Sequence, residues 1–311
     1  MKILFVWTGV TSYMADCWRE LAKREGVDLK VVIEKHHSGS EIDVNTVLHG
    51  FDSVVVDKDA VVDLKGWLPD IVFAVGWRSK SVRKVVYETA FSDVPKICCF
   101  DMPWRWELRC LFARWILGGF LRCYDAAFVP GERAAKYARW LGFKSVYRGL
   151  FSLNTNRFNG NPGSNDFMFI GRDAPEKRID VIKKAYALYR KKGGKWNLDI
   201  YGGKRFVQPS EVPKLYQSHA CLLLASSFDP WPLVMLEATA AGLSVIASDR
   251  CGNVEELGAR KVRYGNVEAM ADAMLEIERG IGVVENRKRA KQYDCHCWAE
   301  RVLEICSAYS K

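Results

Sequence analysis

Short runs of β-branched and other apolar residues alternate along this chain with longer stretches in which apolar side chains recur every three or four positions. Residues 2–7, 28–33, 53–56, 70–75, 96–100 and 125–129 have the first pattern and read as strands. Residues 11–25, 79–90, 104–117 and 132–141 have the second and read as helices. The alternation breaks at 154–166, NTNRFNGNPGSND, which is rich in turn formers and has no periodic apolar face. A second series follows, with strands near 166–170, 196–201, 220–224 and 243–247 and helices near 179–192, 232–241 and 267–279. Strand-helix alternation on both sides of a break predicts two α/β domains with parallel, doubly wound sheets facing across a cleft. The expected division is residues 1–150, a linker 151–165, a second domain 166–286 and a terminal helical segment 287–311.

The length of 311 residues agrees with two domains, and nothing in the composition points to a repeat, collagenous or low-complexity chain. The net charge of +9 narrows the partners to anionic ones: phosphorylated substrates, lipid headgroups or nucleic acid. Ten cysteines without zinc-finger spacing, most of them in apolar runs, read as buried thiols in a reducing compartment rather than disulfides or metal ligands. The start MKILFVWTGV lacks the form of a secretory leader, and no run reaches the length of a membrane span, so the expected location is cytoplasmic, at most resting on a membrane surface.

In open α/β sheets, ligands bind beyond the carboxyl ends of strands. Neither GxGxxG after the first strand nor GxxxxGK[ST] is present. The second domain instead places FIGRDAPEKR, YGGKRF and SSFDPWPLVMLEATAAG after three of its strands. Arg172 and Lys177 flank a turn and either aim at a diphosphate, whose growing charge they would offset, or are solvated surface cations. Asp229 with Pro230 reads locally as a helix N-cap and first helical residue. That leaves Glu237 two turns into an otherwise apolar helix, where a buried carboxylate needs hydrogen-bond donors such as ribose hydroxyls. The helix start itself offers free N–H groups to a phosphate.

In the first domain the strand-end loops present Thr8-Gly9-Val10-Thr11, His36-His37, and Asp101 with Trp104 and Arg105. The His pair reads as a solvated loop rather than a metal site, and Asp57-Lys58-Asp59 lies in the wrong kind of loop for a metal-binding DxD. The stretch MPWRWELRCLFARWILGGFLRCY supports two readings: a helix packed between strands, which its Leu, Ile and Phe spacing favours, or an interfacial helix on an anionic membrane.

Taken together and in order, FIGRDAPEKRIDVIKKAY, YGGKRF and LYQSHACLLLASSFDPWPLVMLEATAAGLSVIASDRCGNVEEL resemble the donor domain of GT-B glycosyltransferases, particularly the retaining enzymes of family four, the group 1 glycosyltransferases. MKILFVWTGV and YDAAFVPGERAAKYARWLGF are similar to that family's acceptor domain, and 287–311 to its terminal helices, which cross back to the first domain. The resemblance implies transfer of a sugar from a nucleotide diphosphate sugar to a glycan, lipid-linked or other hydroxyl acceptor. It implies retention of configuration, no metal and no cofactor.

By position, Arg172 and Lys177 would hold the diphosphate, with Gly171, Gly202, Gly203, Gly252 and Asn253 forming the surrounding turns and Glu255 close by. Glu237 matches the second acid of the Glu-x7-Glu motif, which grips the ribose, and Asp229 stands where the first acid faces the donor sugar. Two departures follow: Asp229 is one methylene shorter than the usual Glu, and Pro232 replaces a Gly and offers no N–H. Phosphate contacts would then fall to the amides of Trp231, Leu233 and Val234. On the acceptor side, Gly9, Asp101, Trp104 and Arg105 are the candidates, with Asp101 in the polar role, since no His stands at the matching strand end. A nucleotide-sugar epimerase of the same fold and a non-catalytic sugar-binding module are the alternatives. The basic charge also allows an anionic membrane surface or a nucleic acid acceptor.

Overall fold

The computed structural model describes residues 1–9, 11–35, 47–60, 64–75, 77, 79–88, 91–105, 107–160, 162, 165–202, 207–208, 211–281 and 287–309. Val10, His36, His37 and Gly203, singled out above, lie outside the described residues. The chain divides into two compact units, one formed by Met1–Leu153 with Cys295–Lys311 and the other by Asn154–Asp294.

The first unit holds a seven-stranded sheet of β1 (Lys2–Thr8), β2 (Asp28–Glu34), β3 (Asp52–Val56), β4 (Ile71–Val75), β5 (Lys96–Cys99), β6 (Ala126–Val129) and β7 (Ser145–Arg148). Their order is β3-β2-β1-β4-β5-β6-β7 and every pairing is parallel. Parallel strands are covered on both faces, which is why β1 reads as an unbroken apolar run rather than an alternation. Its side chains divide between two cores: Ile3, Phe5 and Trp7 join Trp18, Phe73 and Trp298, whereas Leu4 and Val6 join Val82, Phe100 and Tyr137. Helices Ser12–Ala22 and Cys295–Tyr309 cover the first face. Trp298 lies 5.7 Å from Phe5 and its indole donates to Leu150 O at 2.8 Å. Helices Lys80–Tyr87 and Glu132–Leu141 cover the second face.

The second unit holds β8 (Phe167–Ile170), β9 (Leu198–Tyr201), β10 (Cys221–Leu224), β11 (Ser244–Ser248) and β12 (Arg260–Val262), in the order β12-β11-β10-β8-β9, again all parallel. The chain moves outward from β8 to β9 and then returns to the other side of β8 to lay down β10. The strand order therefore reverses between β8 and β10, and the loops leaving those two strands open apart there into a crevice.

Two edge strands escape the hydrophobic pattern. β7 is only partly covered, and β12 exposes Arg260 and Lys261, so charged edge positions mask both. The stretch read as a plain linker forms a 3-10 turn, Thr155–Phe158, that buries Thr155 and Phe158 within the second unit. All ten cysteines are free, and burial pushes the Cys98, Cys99 and Cys221 thiols well up. Among the described residues no helix is long and apolar enough to cross a membrane.

Candidate functional site

The site of the second unit is built at the reversal between β8 and β10. Gly171 N donates to Tyr201 O at 3.1 Å as the chain leaves β8. Opposite it Gly202 has φ +126, and a Cβ there would stand 1.7 Å from Gly171 O. Only glycine permits that approach. The chain then forms the 3-10 turn Pro175–Lys177. Ser227, in the loop after β10, donates to Glu176 O through its N–H at 2.8 Å and its hydroxyl at 3.3 Å, tying the two loops together.

This tie brings Lys177 Nζ within 2.5 Å of Asp229 Oδ2, with both side chains largely withdrawn from water. Asp229 is fixed through its backbone as well. Its N–H donates to Arg250 O at 3.3 Å and its carbonyl accepts from Gly252 N at 2.8 Å. A Cβ on Gly252 would meet Pro230 O at 1.7 Å. The local reading of Asp229 as N-cap is corrected: the helix runs Leu233–Ala241 and its N-cap is Pro232, with φ −64 and ψ 106. Asp229 and Trp231 each precede a proline, which disfavours helical backbone at both, so the helix starts only after Pro232. The carboxylate is thereby released from capping and turns to Lys177.

Pro232 O accepts from Met235 N and from the side-chain amide of Asn253, each at 3.1 Å. Helix geometry leaves the Leu233 and Val234 N–H groups at the open end. Trp231, by contrast, is buried with its ring 5.3 Å from that of Tyr293. Asn253 is wholly buried, and its Oδ1 and the Trp231 indole N–H have no hydrogen-bond partner among the described residues.

Glu237 has a partner that the sequence did not disclose. Tyr216, fully buried, donates its hydroxyl to Glu237 Oε2 at 2.8 Å. Burial pushes the Glu237 carboxyl above its ordinary pKa, against the opposing pull of the Tyr216 hydrogen bond and the Arg157 charge. Burial first, and then the Glu237 charge, push the Tyr216 phenol far up, so it stays protonated and keeps donating. Arg172 is not gathered into this group. Its side chain is 82% exposed and reaches Glu176 at 3.5 Å. The neighbouring Arg178, not anticipated, adopts a left-handed φ of +52, grips Asp180 at 2.8 and 3.0 Å and bonds the Tyr264 hydroxyl, setting the start of helix Ile179–Lys191.

In the first unit Gly9, with φ +74, donates to Glu34 O at 2.9 Å. Glu34 itself is buried at the end of β2 and accepts from the Ser79 hydroxyl at 2.8 Å and from Asp59 N at 3.3 Å. Burial acts to raise its pKa, and the donors around it outweigh that and bring it down. A lone acid closing an apolar strand, VVIE, is the signal that marks it. Asp101 is half-buried, and its charge adds to the burial that pushes the Tyr13 phenol up to about 12. Trp104 packs on Trp140, with ring centroids 4.7 Å apart, and Arg105 pairs with Glu107 at 2.6 Å. Trp104 is thus engaged in packing, and Arg105 in a partly exposed local ion pair.

The second unit thus offers a half-buried ammonium, an open helix end and a buried carboxylate around one strand reversal, a combination suited to a phosphorylated, hydroxyl-bearing ligand. The model of the family Glycosyl transferases group 1 matches residues 164–279. No curated protein matches the chain. Among solved structures, HepE of Anabaena in complex with UDP and glucose is 14% identical with a TM-score of 0.70, covering 99% of this chain and 100% of its own. The lipopolysaccharide outer core galactosyltransferase WaaB is 13% identical with a TM-score of 0.72, covering 99% of both chains. A glycosyltransferase from Rickettsia africae is 14% identical with a TM-score of 0.71, covering 100% of this chain and 98% of its own. The chain accordingly has the GT-B fold, and its residues 164–279 match the model of the group 1 glycosyltransferases.

Proposed function

We propose that the protein transfers a glycosyl group, with retention of configuration, from a nucleoside diphosphate sugar to a hydroxyl of a glycan or lipid-linked acceptor, as a member of family four. The observation that carries this reading is the meeting of Lys177 and Asp229 beside the helix start at Pro232, in a matched group 1 domain. HepE is solved with UDP and glucose, which makes uridine diphosphate sugars the first donors to test.

In the proposed reaction the bond between the sugar and the diphosphate breaks and its electron pair leaves with the diphosphate, while the acceptor hydroxyl oxygen bonds the anomeric carbon from the same face and gives its proton to the departing diphosphate. Lys177 and the Leu233 and Val234 amides meet that growing charge, and Arg172 adds a second cation from its exposed position. Charge stabilisation then comes from the chain itself, without a metal ion. Asp229 faces the donor sugar. Glu237 accepts hydrogen bonds from the ribose hydroxyls, and Tyr216 holds its carboxylate in place.

Incubation with a panel of radiolabelled nucleotide sugars tests the reading. Transfer to an added acceptor, or slow release of free sugar, is expected, and loss of both in Glu237→Ala and Lys177→Ala that remain folded. Interconversion of one nucleotide sugar into another would make it an epimerase. Tight binding without turnover would make it a sugar-binding module.

A further inference from the structure

Helix Leu108–Ile116 buries only Cys110 and Ala113 against the first unit's core. Leu108, Phe112, Trp115 and Ile116 are 72%, 53%, 69% and 75% exposed. At about 100° per residue these four fall within an arc of roughly 100°, on the side opposite Cys110 and Ala113. The packing reading of this stretch therefore accounts for one face of the helix and leaves the other unexplained. Four large apolar side chains in one exposed stripe form a patch that a water-facing helix does not keep without a use.

What surrounds the stripe is basic. From Leu108 to Tyr124 the chain has Arg109, Arg114 and Arg122 and no acidic residue, and of these Arg109 is paired with Glu107 at the start of the helix. Beside the end of the helix a cavity of about 430 Å³ is lined by Arg114, Arg122 and Lys144, with Asp125 also on its wall. The Asp125 carboxylate is engaged, accepting from Lys96 N at 2.8 Å. None of the three cations has an ion-pair partner among the described residues. On the apolar stripe Trp115 rests edge-on against Trp140, with centroids 6.1 Å apart, so its ring is propped outward.

We propose that this face docks the protein on an anionic phospholipid bilayer, with Leu108, Phe112, Trp115 and Ile116 entering the acyl boundary and Arg114, Arg122 and Lys144 seating a lipid phosphate. An apolar stripe edged by unpaired cations and an aromatic ring is the composition of an interfacial helix. A second copy of the chain is a poorer occupant, because joining two such faces would bring the arginines of one against those of the other. The inference stands apart from the transfer reaction and is read without turnover.

The experiment is co-sedimentation of the whole protein with vesicles of phosphatidylcholine alone or with about a third phosphatidylglycerol. Binding to the anionic vesicles is expected, with little to the neutral ones and a several-fold loss on moving to high salt. Trp115→Ser with Ile116→Ser, both largely exposed and with folding verified by circular dichroism, lowers the partition coefficient roughly tenfold or more. Arg114→Glu with Arg122→Glu abolishes the preference for anionic vesicles. Equal binding to both vesicle types overturns the phosphate seat. Absence of vesicle binding, or self-association that the Trp115 and Ile116 changes relieve, overturns the membrane as occupant.

Discussion

Replacing Glu237 by Gln should make the protein more stable at neutral pH while removing its grip on the donor. The glutamine keeps the size of the side chain and an oxygen to accept the Tyr216 hydroxyl, now 2.8 Å from Oε2. That bond weakens from about 1.5–3 kcal/mol to a charged acceptor to about 0.5–1.5 kcal/mol to a neutral one. The attraction of Arg157 is lost too. Yet the Glu237 carboxyl stands above its ordinary pKa, so the burial cost of its charge exceeds both contributions. Removing the charge is then a net gain, expected within the about 0.5–2 kcal/mol that single stabilising substitutions commonly give. For a domain of this size each kcal/mol raises Tm by ~2–4 °C.

The pH dependence has a definite sign. A raised carboxyl stabilises the fold in its neutral form, fully below the ordinary glutamate pKa, and that stabilisation is lost as pH rises through the raised value. The glutamine variant does not titrate, so its advantage over the parent is absent in acid and grows to a plateau across that window. Scanning calorimetry at a series of pH values reads the difference, and a donor-induced shift in Tm reads the lost grip. A lower Tm for the variant at neutral pH, or a difference that ignores pH, would falsify the claim that Glu237 carries a net burial cost.

Lys177→Met leaves Asp229 buried without its partner and costs roughly 2–3 kcal/mol, below the usual 3–5 for a fully buried pair. Adding Asp229→Asn returns most of that, and additive denaturant-unfolding losses in the cycle would show the 2.5 Å pair to be uncoupled. Gly252→Ala sets a methyl against Pro230 O and lowers stability by several kcal/mol, whereas Gly265→Ala, with φ +74 but open space, costs about 1 kcal/mol. Similar midpoints for the two would remove the close approach as the reason for the glycine. Arg172→Ala, losing only a 3.5 Å contact at 82% exposure, leaves the unfolding free energy within about 0.5 kcal/mol of the parent and raises the donor KM. An unchanged KM would take Arg172 out of the diphosphate site.

The elements with strong periodicity were legible in the sequence because parallel strands covered on both faces must be apolar throughout. β7 and β12 were not, since these short edge strands have few buried positions and carry exposed charges. Asp229 and Glu237 stood out because acids in apolar surroundings require a reason, and both have one in the fold. The particular partner was beyond reach. Tyr216 lies twenty-one positions before Glu237 in another helix, and only packing brings its hydroxyl there. The helix start shows the opposite failure: the local preference of Asp and Pro for a first turn was real, and the pairing of Asp229 with Lys177 and Gly252 overrode it. The apolar spacing of Leu108–Ile116 was visible, but which of its faces met the core was not.

The second unit is one continuous segment, whereas the first takes its last helix, Cys295–Tyr309, from beyond it. The two passages of the chain meet: Cys295 N donates to Leu153 O at 3.1 Å, and Thr155 holds the Asp294 carboxylate with its hydroxyl at 2.6 Å and its N–H at 3.0 Å. During synthesis, at roughly 5–20 residues per second, the ribosome finishes the later unit before the earlier one has received Trp298, Val302 and Ile305. The first half of the message is thus the last part of the product to mature. Until then its sheet waits with one hydrophobic face only partly covered, by helix Ser12–Ala22, the interval in which a nascent chain most needs a chaperone.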